Sequence, residues 1–267
     1  MTGFENYLQN LNLARNTISA YAIAVADFES SFSEITKKNL LAWKAGLIEK
    51  YQARTVNLKI QAINTYLTFW GRENLRLKAI KVQQRLFLEN VISDSDYCFF
   101  KMQLKKEKNK SWYFIVRFLG ATGARVSELV KIKVEHVKVG YIDIYTKGGK
   151  VRRIYIPKAL KIEALSWIEN DMKLESGYLF RNRYGKPITT RGVSQQLKQF
   201  ALKFGIDSKV VYPHSFRHRF AKNFIEKYND IALLADLMGH ESIETTRIYL
   251  RKTANEQQTI VDRIVTW

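Results

Sequence analysis

Apolar residues return every three or four positions through much of the N-terminal part of the chain. Val56, Ile60, Ile63, Leu67 and Trp70 fall on one side of a helix drawn from about Thr55 to Trp70, so this stripe predicts a core face. Looser versions of the same period mark Phe4 to Leu11, Arg15 to Phe32 and Thr36 to Tyr51, with short polar breaks between them. The four segments predict a four-helix unit. Between Gly71 and about Asn90 basic and apolar residues alternate without a helical stripe, which predicts a linker at 75–92 between domains at 1–74 and 93–267. Helical periodicity resumes at Asp94 and is interrupted by YIDIYTKGGKVRRIYI. There, runs at Tyr141 to Tyr145 and Val151 to Ile156 alternate at two-residue spacing around Lys-Gly-Gly-Lys, the pattern of a β-hairpin. The remainder, from Lys158, reads as helices with glycine-containing turns, and all three prolines, Pro157, Pro187 and Pro213, lie in the C-terminal portion of the chain. The fold class expected is mainly α with a small β-sheet.

Composition adds a partner to this picture. A chain of 267 residues has room for two modest domains, each with its own core. A formal charge of +19 accompanies 46% hydrophobic and 13% aromatic content, which describes a folded basic protein and not a basic disordered tail. A polyanion is implied, and nucleic acid fits best, because neutralising phosphates with Lys and Arg releases counterions. A membrane surface competes, but no apolar run approaches the roughly 20 residues that span a bilayer. The start MTGFENYLQN lacks the basic and apolar regions of a signal peptide, so a cytoplasmic location is expected, nucleoid-associated when on DNA. Cys98, the single cysteine, cannot form an intrachain disulfide and is expected to be buried as an apolar residue. The four histidines have no Cys or acidic partners at metal-ligand spacing, so neither a metal nor a cofactor is expected. On the outer faces of the N-terminal helices, Arg15, Lys37, Lys38, Lys44, Arg54 and Lys59 are candidate phosphate contacts.

Three short motifs carry candidate chemistry, and each alone has an ordinary structural explanation. In TGARVSEL, Arg125 and Glu128 share a helix face, as a structural ion pair would. HSFRH puts His214 and Arg217 at i, i+3. LMGHESIETTRIYL puts His240 after a glycine and Tyr249 nine residues later, where a tyrosine between Ile248 and Leu250 would usually be packed. Their order, with a basic hairpin between the first two, resembles the catalytic domain of the tyrosine recombinases, also called the phage integrase family. The resemblance covers about Asp94 to Trp267, and the N-terminal helices are similar to the family's core-binding domain. It implies a SAM-like four-helix domain followed by an α+β catalytic domain with a C-terminal exchange helix. It also implies a site of two arginines, a hairpin lysine, two histidines and a tyrosine. By motif position these are Arg125, Lys147, His214, Arg217, His240 and the nucleophile Tyr249, with Glu128 supporting Arg125. Lys150 remains an alternative to Lys147.

Phosphodiester transfer suits these residue types. Charge builds on the nonbridging oxygens, and Arg125 and Arg217 can each present a planar, permanently charged fork to them, which lysine could not reproduce. His240 would add a hydrogen bond to the same oxygens. A phenol with an ordinary pKa of about 10 needs a cationic surrounding and a base, for which His214 is the candidate. Lys147 is the family-implied acid at the departing 5′ oxygen. The product would be a 3′-phosphotyrosyl link, formed without ATP and without the carboxylate clusters that hold paired metals in other nucleases. Ile260, Ile264 and Trp267 repeat at helical spacing in the tail and should dock, either on their own domain or, as the resemblance implies, on a neighbouring protomer. The implied assembly is a homotetramer on two double-stranded DNA sites. The short N-terminal region leaves no place for an extra arm-binding domain, which points to short inverted-repeat core sites, as used by Xer resolvases and small mobile-element integrases. Integration, excision, inversion and resolution all stay open, as do accessory proteins. A type IB topoisomerase-like enzyme and a non-catalytic DNA-binding regulator are the competing functions.

Overall fold

A computed structural model describes residues 2–82, 90–145, 151–172, 176–240, 242–250 and 261–265. The chain divides into two units, Met1–Gln84 and Arg85–Trp267. Helices α1 (Thr2–Asn10), α2 (Arg15–Ser31), α3 (Lys37–Lys50) and α4 (Ala53–Phe69) build the first. Thr36 starts α3 by accepting the Asn39 N–H on its hydroxyl, which satisfies one donor that the helix leaves open. Val56, Ile60, Ile63 and Leu67 of α4 are buried with Tyr21, Ala24, Val25 and Phe28 of α2 in one core. Trp70, expected on the same stripe, is 56% exposed. It follows the last helical residue, the chain turns at Gly71 (φ 65°), and the indole meets Tyr66 and Phe69 edge-on at the rim.

The segment expected to be a linker begins as part of this unit. Leu75, Leu77 and Ile80 pack on the first core. Asn64 accepts the Leu77 N–H and donates to the Leu77 carbonyl, both at 2.9 Å, and Asn57 does the same for Ile80. Lys37 donates to the carbonyls of Leu75 and Arg76, and Lys44 to that of Lys78. Two side-chain amides thus replace a neighbouring strand. Lys59 is held by Asp27 at 2.8 Å, so three of the six cations expected to face phosphates are engaged within the unit.

The second unit forms around α6 (Lys110–Thr122), in which Tyr113, Phe114, Ile115, Val116, Phe118 and Leu119 are all buried. A helix apolar on nearly every side must be covered on every side, and α5 (Asp94–Lys106), α9 (Lys158–Trp167) and α11 (Pro213–Tyr228) contact it. Between them come α7 (Val126–Leu129), α8 (Val134–Val139), β1 (Tyr141–Tyr145) and β2 (Val151–Tyr155); α10 (Thr190–Lys203) precedes α11, and α12 (Ile231–Met238) and α13 (Ile243–Arg247) follow it. The strands pair antiparallel with Tyr141 opposite Tyr155 and Ile142 opposite Ile154. Ile142 and Ile154 face the core, and so does Arg152. The turn carrying Lys147 and Lys150 lies outside the described residues. Cys98, expected to be buried, is exposed. The inward face of α5 belongs to Tyr97, Phe100 and Leu104, and a residue next to Tyr97 points away from it. Among the described residues no helix is long and apolar enough to cross a membrane.

Replacing Ile63 by alanine in the full chain should lower its stability by about 2–5 kcal/mol through the cavity left behind. Trp70→Ala should cost about 1 kcal/mol or less. Urea denaturation of both variants tests the placement, and the reverse order would contradict it.

Candidate active site

Helix α12 ends at Gly239, whose left-handed conformation (φ 59°) lets His240 N–H reach the Ala235 carbonyl and Gly239 N–H reach that of Asp236. The next three carbonyls each receive a guanidinium. Arg152 Nε donates to Leu237 O at 2.9 Å, Arg217 Nη2 to Met238 O at 2.6 Å and Arg125 Nη2 to Gly239 O at 3.1 Å. The three arginines come from β2, from α11 and from the residue before α7. A helix C-terminus carries orphan carbonyls and partial negative charge, which is what draws cations there. Arg217 also donates through Nη1 to Gly123 O at 2.6 Å, at the left-handed end of α6. It is 2% exposed. Burial, then Arg125 and Arg152, bring its pKa down to about 10, so it remains a cation at neutral pH.

Glu128 stands against these charges. Its Oε1 accepts from Arg125 Nη1 at 3.0 Å and Arg152 Nη1 at 2.6 Å, and its Oε2 accepts the Arg125 N–H at 2.7 Å. Burial pushes its pKa up, but Arg152 and the Arg125 N–H outweigh that and hold it below the ordinary carboxylate range. The Arg125–Glu128 pair expected from the sequence is therefore formed. Arg152 was not among the expected site residues, yet it is 5% exposed and is the closer partner of Glu128. The available signal was strand alternation, which turns Arg152 inward with Ile154.

The histidines divide differently from expectation. Arg217 Nη2 donates to His240 Nε2 at 3.1 Å, and His240 Nδ1 lies 2.7 Å from the Thr246 hydroxyl. An arginine can only donate, so the neutral His240 accepts on Nε2 and carries its proton on Nδ1. Burial, then Arg217 and Arg125, lower its pKa to about 4. Tyr249 is 8% exposed and packs with Ala221, Ile225, Leu234 and Met238. Its hydroxyl lies 2.8 Å from His218 Nδ1. His214, expected as the base, makes no hydrogen bond to Tyr249 among the described residues. It is exposed near the start of α11, in an open cleft of about 410 Å³ with Val126, Lys198, Lys209 and Tyr212. The ring beside the phenol belongs to His218, one helical turn further on and adjacent to Arg217. Sequence reasoning missed it, although i, i+4 spacing from His214 keeps it on the same face. Burial raises the Tyr249 pKa to about 12 against the opposing pull of Arg217. Burial, then His214 and Arg217, lower that of His218 to about 4. Lys147 is outside the described residues. Among the described residues no group of three or more His, Cys, Asp or Glu could hold a metal.

Residues 97–256 match the model of the phage integrase family. The chain belongs to this family. As a whole, this phage integrase family member is 32% identical over 269 residues to the tyrosine recombinase XerA of Pyrococcus furiosus, a match covering 97% of this chain and 92% of the relative. Its fold is similar to that of a lambda integrase dimer bound to a COC′ core site, with a TM-score of 0.74 at 17% identity over 100% of this chain and 77% of that one. A XerH site-specific recombinase bound to a palindromic difH substrate gives 0.72 at 20% identity, covering 96% and 81%. At these identities the two structures speak for the fold. In this tyrosine recombinase, three guanidiniums gather at the end of α12 and two of them share one carboxylate, leaving excess positive charge beside the phenol.

Gly239 cannot carry a side chain cheaply, since a Cβ there would run into the side chain of Arg152. Gly205 has a similar backbone (φ 69°) with nothing within 4 Å of its added Cβ. Gly205→Ala should therefore cost only the backbone strain, about 1 kcal/mol, and Gly239→Ala clearly more. Equal losses in thermal or urea unfolding would show that Arg152 is not seated against the end of α12.

Proposed function

We propose that this tyrosine recombinase cuts and rejoins duplex DNA at a specific site, through a covalent bond between Tyr249 and a 3′ phosphate. The observation that carries the reading is the seating of a buried tyrosine hydroxyl beside a permanently cationic cluster with one carboxylate. Arg125 and Arg217 are the groups for the nonbridging phosphate oxygens. Arg125 is well suited, with 34% of its side chain exposed on the open side of the cluster. Arg217, buried on two helix ends, supplies fixed positive charge from behind, and a preorganised charge needs no rearrangement when the transition state forms. Glu128 and Arg152 hold Arg125 and the end of α12 in register. His240 sits against Arg217 and completes the same wall. Attack by the Tyr249 oxygen on phosphorus forms the O–P bond and breaks the bond to the 5′ oxygen, which takes a proton from Lys147 in this scheme. The 3′-phosphotyrosyl link conserves the bond energy, so a 5′ hydroxyl of another strand can reverse the step without ATP.

DNA is the partner, and the cleft lined by Lys198, Lys209, Tyr212 and His214 beside Val126 supplies further phosphate contacts. We extend the reading to short inverted-repeat core sites and a homotetramer on two of them, in the cytoplasm. Val261, Ile264 and Val265, in and just after a helical turn at 261–264, are about half exposed, which supports docking of the tail on a neighbouring protomer. With the charge of +19, affinity for DNA should fall steeply with salt.

Tyr249→Phe should bind its site as tightly as the unaltered protein and form no adduct that survives detergent on a nicked suicide duplex. Normal cleavage by that variant would exclude Tyr249 as nucleophile.

A further inference from the structure

Transfer through Tyr249 requires that its phenol lose a proton, and the described structure offers few places for that proton to go. Tyr249 is 8% exposed as a residue, so water is a poor acceptor there. His240 has both ring nitrogens engaged, one by Arg217 and one by Thr246, and the first of these is a donor that no proton could displace without breaking the contact. His214 points into the basic cleft. His218 alone presents a ring nitrogen, Nδ1, at 2.8 Å from the phenol oxygen. That distance lies within the range required of a base and the proton it removes. The ring is also rigidly placed, on α11 one residue beyond Arg217, whose two bonds to helix-end carbonyls fix that stretch of backbone.

We propose that His218 is the proton acceptor for Tyr249, an inference that rests on the reading of Tyr249 as the nucleophile. As the Tyr249 oxygen attacks phosphorus, the phenol proton passes to His218 Nδ1, the O–P bond forms, the bond from phosphorus to the 5′ oxygen breaks, and that oxygen takes its proton from a separate acid. In rejoining, the 5′ hydroxyl returns its proton to that acid's conjugate base as it attacks phosphorus, and the tyrosine oxygen leaves, recovering its proton from Nδ1. Every atom and charge balances with no further reagent.

The resting site keeps this pair silent. With Tyr249 near 12 and His218 near 4, the proton stays on the phenol before DNA arrives. Burial first, then the neighbouring His214 and Arg217, depress His218. A phosphate seated on Arg125 and beside Arg217 brings negative charge to the same place and raises the basicity of His218 when it is needed. The base is thereby coupled to occupancy of the site.

The test uses single-turnover cleavage of a nicked suicide duplex carrying a site that the unaltered protein selects from a random-sequence pool. One version has the ordinary 5′ bridging oxygen, and the other has sulfur there, whose thiolate leaves without a proton. His218→Asn keeps an acceptor atom near the Nδ1 position but cannot take up a proton. It should cleave both substrates about 10²-fold or more slowly while binding them normally. Lys147→Ala should be slow on oxygen and close to normal on sulfur. In His218→Ala, free imidazole should restore cleavage by about tenfold or more, which a merely structural role would not allow. Cleavage by His218→Asn within about threefold of normal, rescue of that variant by sulfur, or no response of His218→Ala to imidazole would each overturn the assignment. Absence of an adduct with the unaltered protein would instead overturn the nucleophile itself, so the two failures are distinct.

Discussion

The second unit depends on what happens to three carbonyl oxygens at the end of one short helix. After the turn at Gly239 has used the carbonyls of Ala235 and Asp236, those of Leu237, Met238 and Gly239 still need donors. Arg152, Arg217 and Arg125 supply them from three different parts of the chain. The interaction works in both directions. The helix end is satisfied, and three cations that would repel one another are held close together by partial charges that are part of the fold. Arg217 shows the balance most clearly, because it is buried without a carboxylate among its hydrogen-bond partners and rests on the ends of α6 and α12. Burial of an ion without such partners would cost several kcal/mol.

That constraint sets the character of the site. Glu128 offsets part of the charge, enough to tie Arg125 to Arg152 and not enough to neutralise the cluster. What is left over suits an anion from outside, and a phosphodiester has the right charge and oxygens for the planar fork of Arg125. The same helix end leads directly into His240 and, through α13, to Tyr249, so the residues proposed to meet the phosphate and the residue proposed to attack it are positioned by one element. Tyr249 is also a core residue, wedged among Ala221, Ile225, Leu234 and Met238. Packing and chemistry are thus alternative descriptions of one side chain. The apolar contacts fix the ring, and the hydrogen bond to His218 aims its oxygen.

Much of this was legible in the sequence, and the gaps have physical causes. Helical periodicity located α1 to α4, and two-residue alternation located β1 and β2, because those periods report which face is buried. The spacing of Arg125 and Glu128 carried their ion pair. Trp70 and Cys98 went the other way because periodicity cannot see where a helix stops or which of two adjacent residues turns inward. Leu75, Leu77 and Ile80 were invisible as core because Asn57 and Asn64, two helix residues far away in sequence, complete their hydrogen bonding. Arg152 was hidden by its neighbours, since an arginine in a basic hairpin reads as solvated until its partner Glu128 is placed. His218 was hidden by His214, which matches the family motif while the chain brings the next turn of the helix to the phenol. Position along a motif does not settle which of two histidines on one face reaches a given atom; the tertiary packing of Tyr249 does.

DNA joined to this protein should be attached at Tyr249 through a 3′ phosphate. The most direct test is to trap the covalent complex on a suicide duplex in EDTA, digest protein and DNA, and sequence the nucleotide-bearing peptide by mass spectrometry. One modified residue is expected, Tyr249, carrying a 3′-linked phosphonucleotide. Modification of a different residue, a 5′ linkage, or strand cleavage that leaves no protein attached would contradict it.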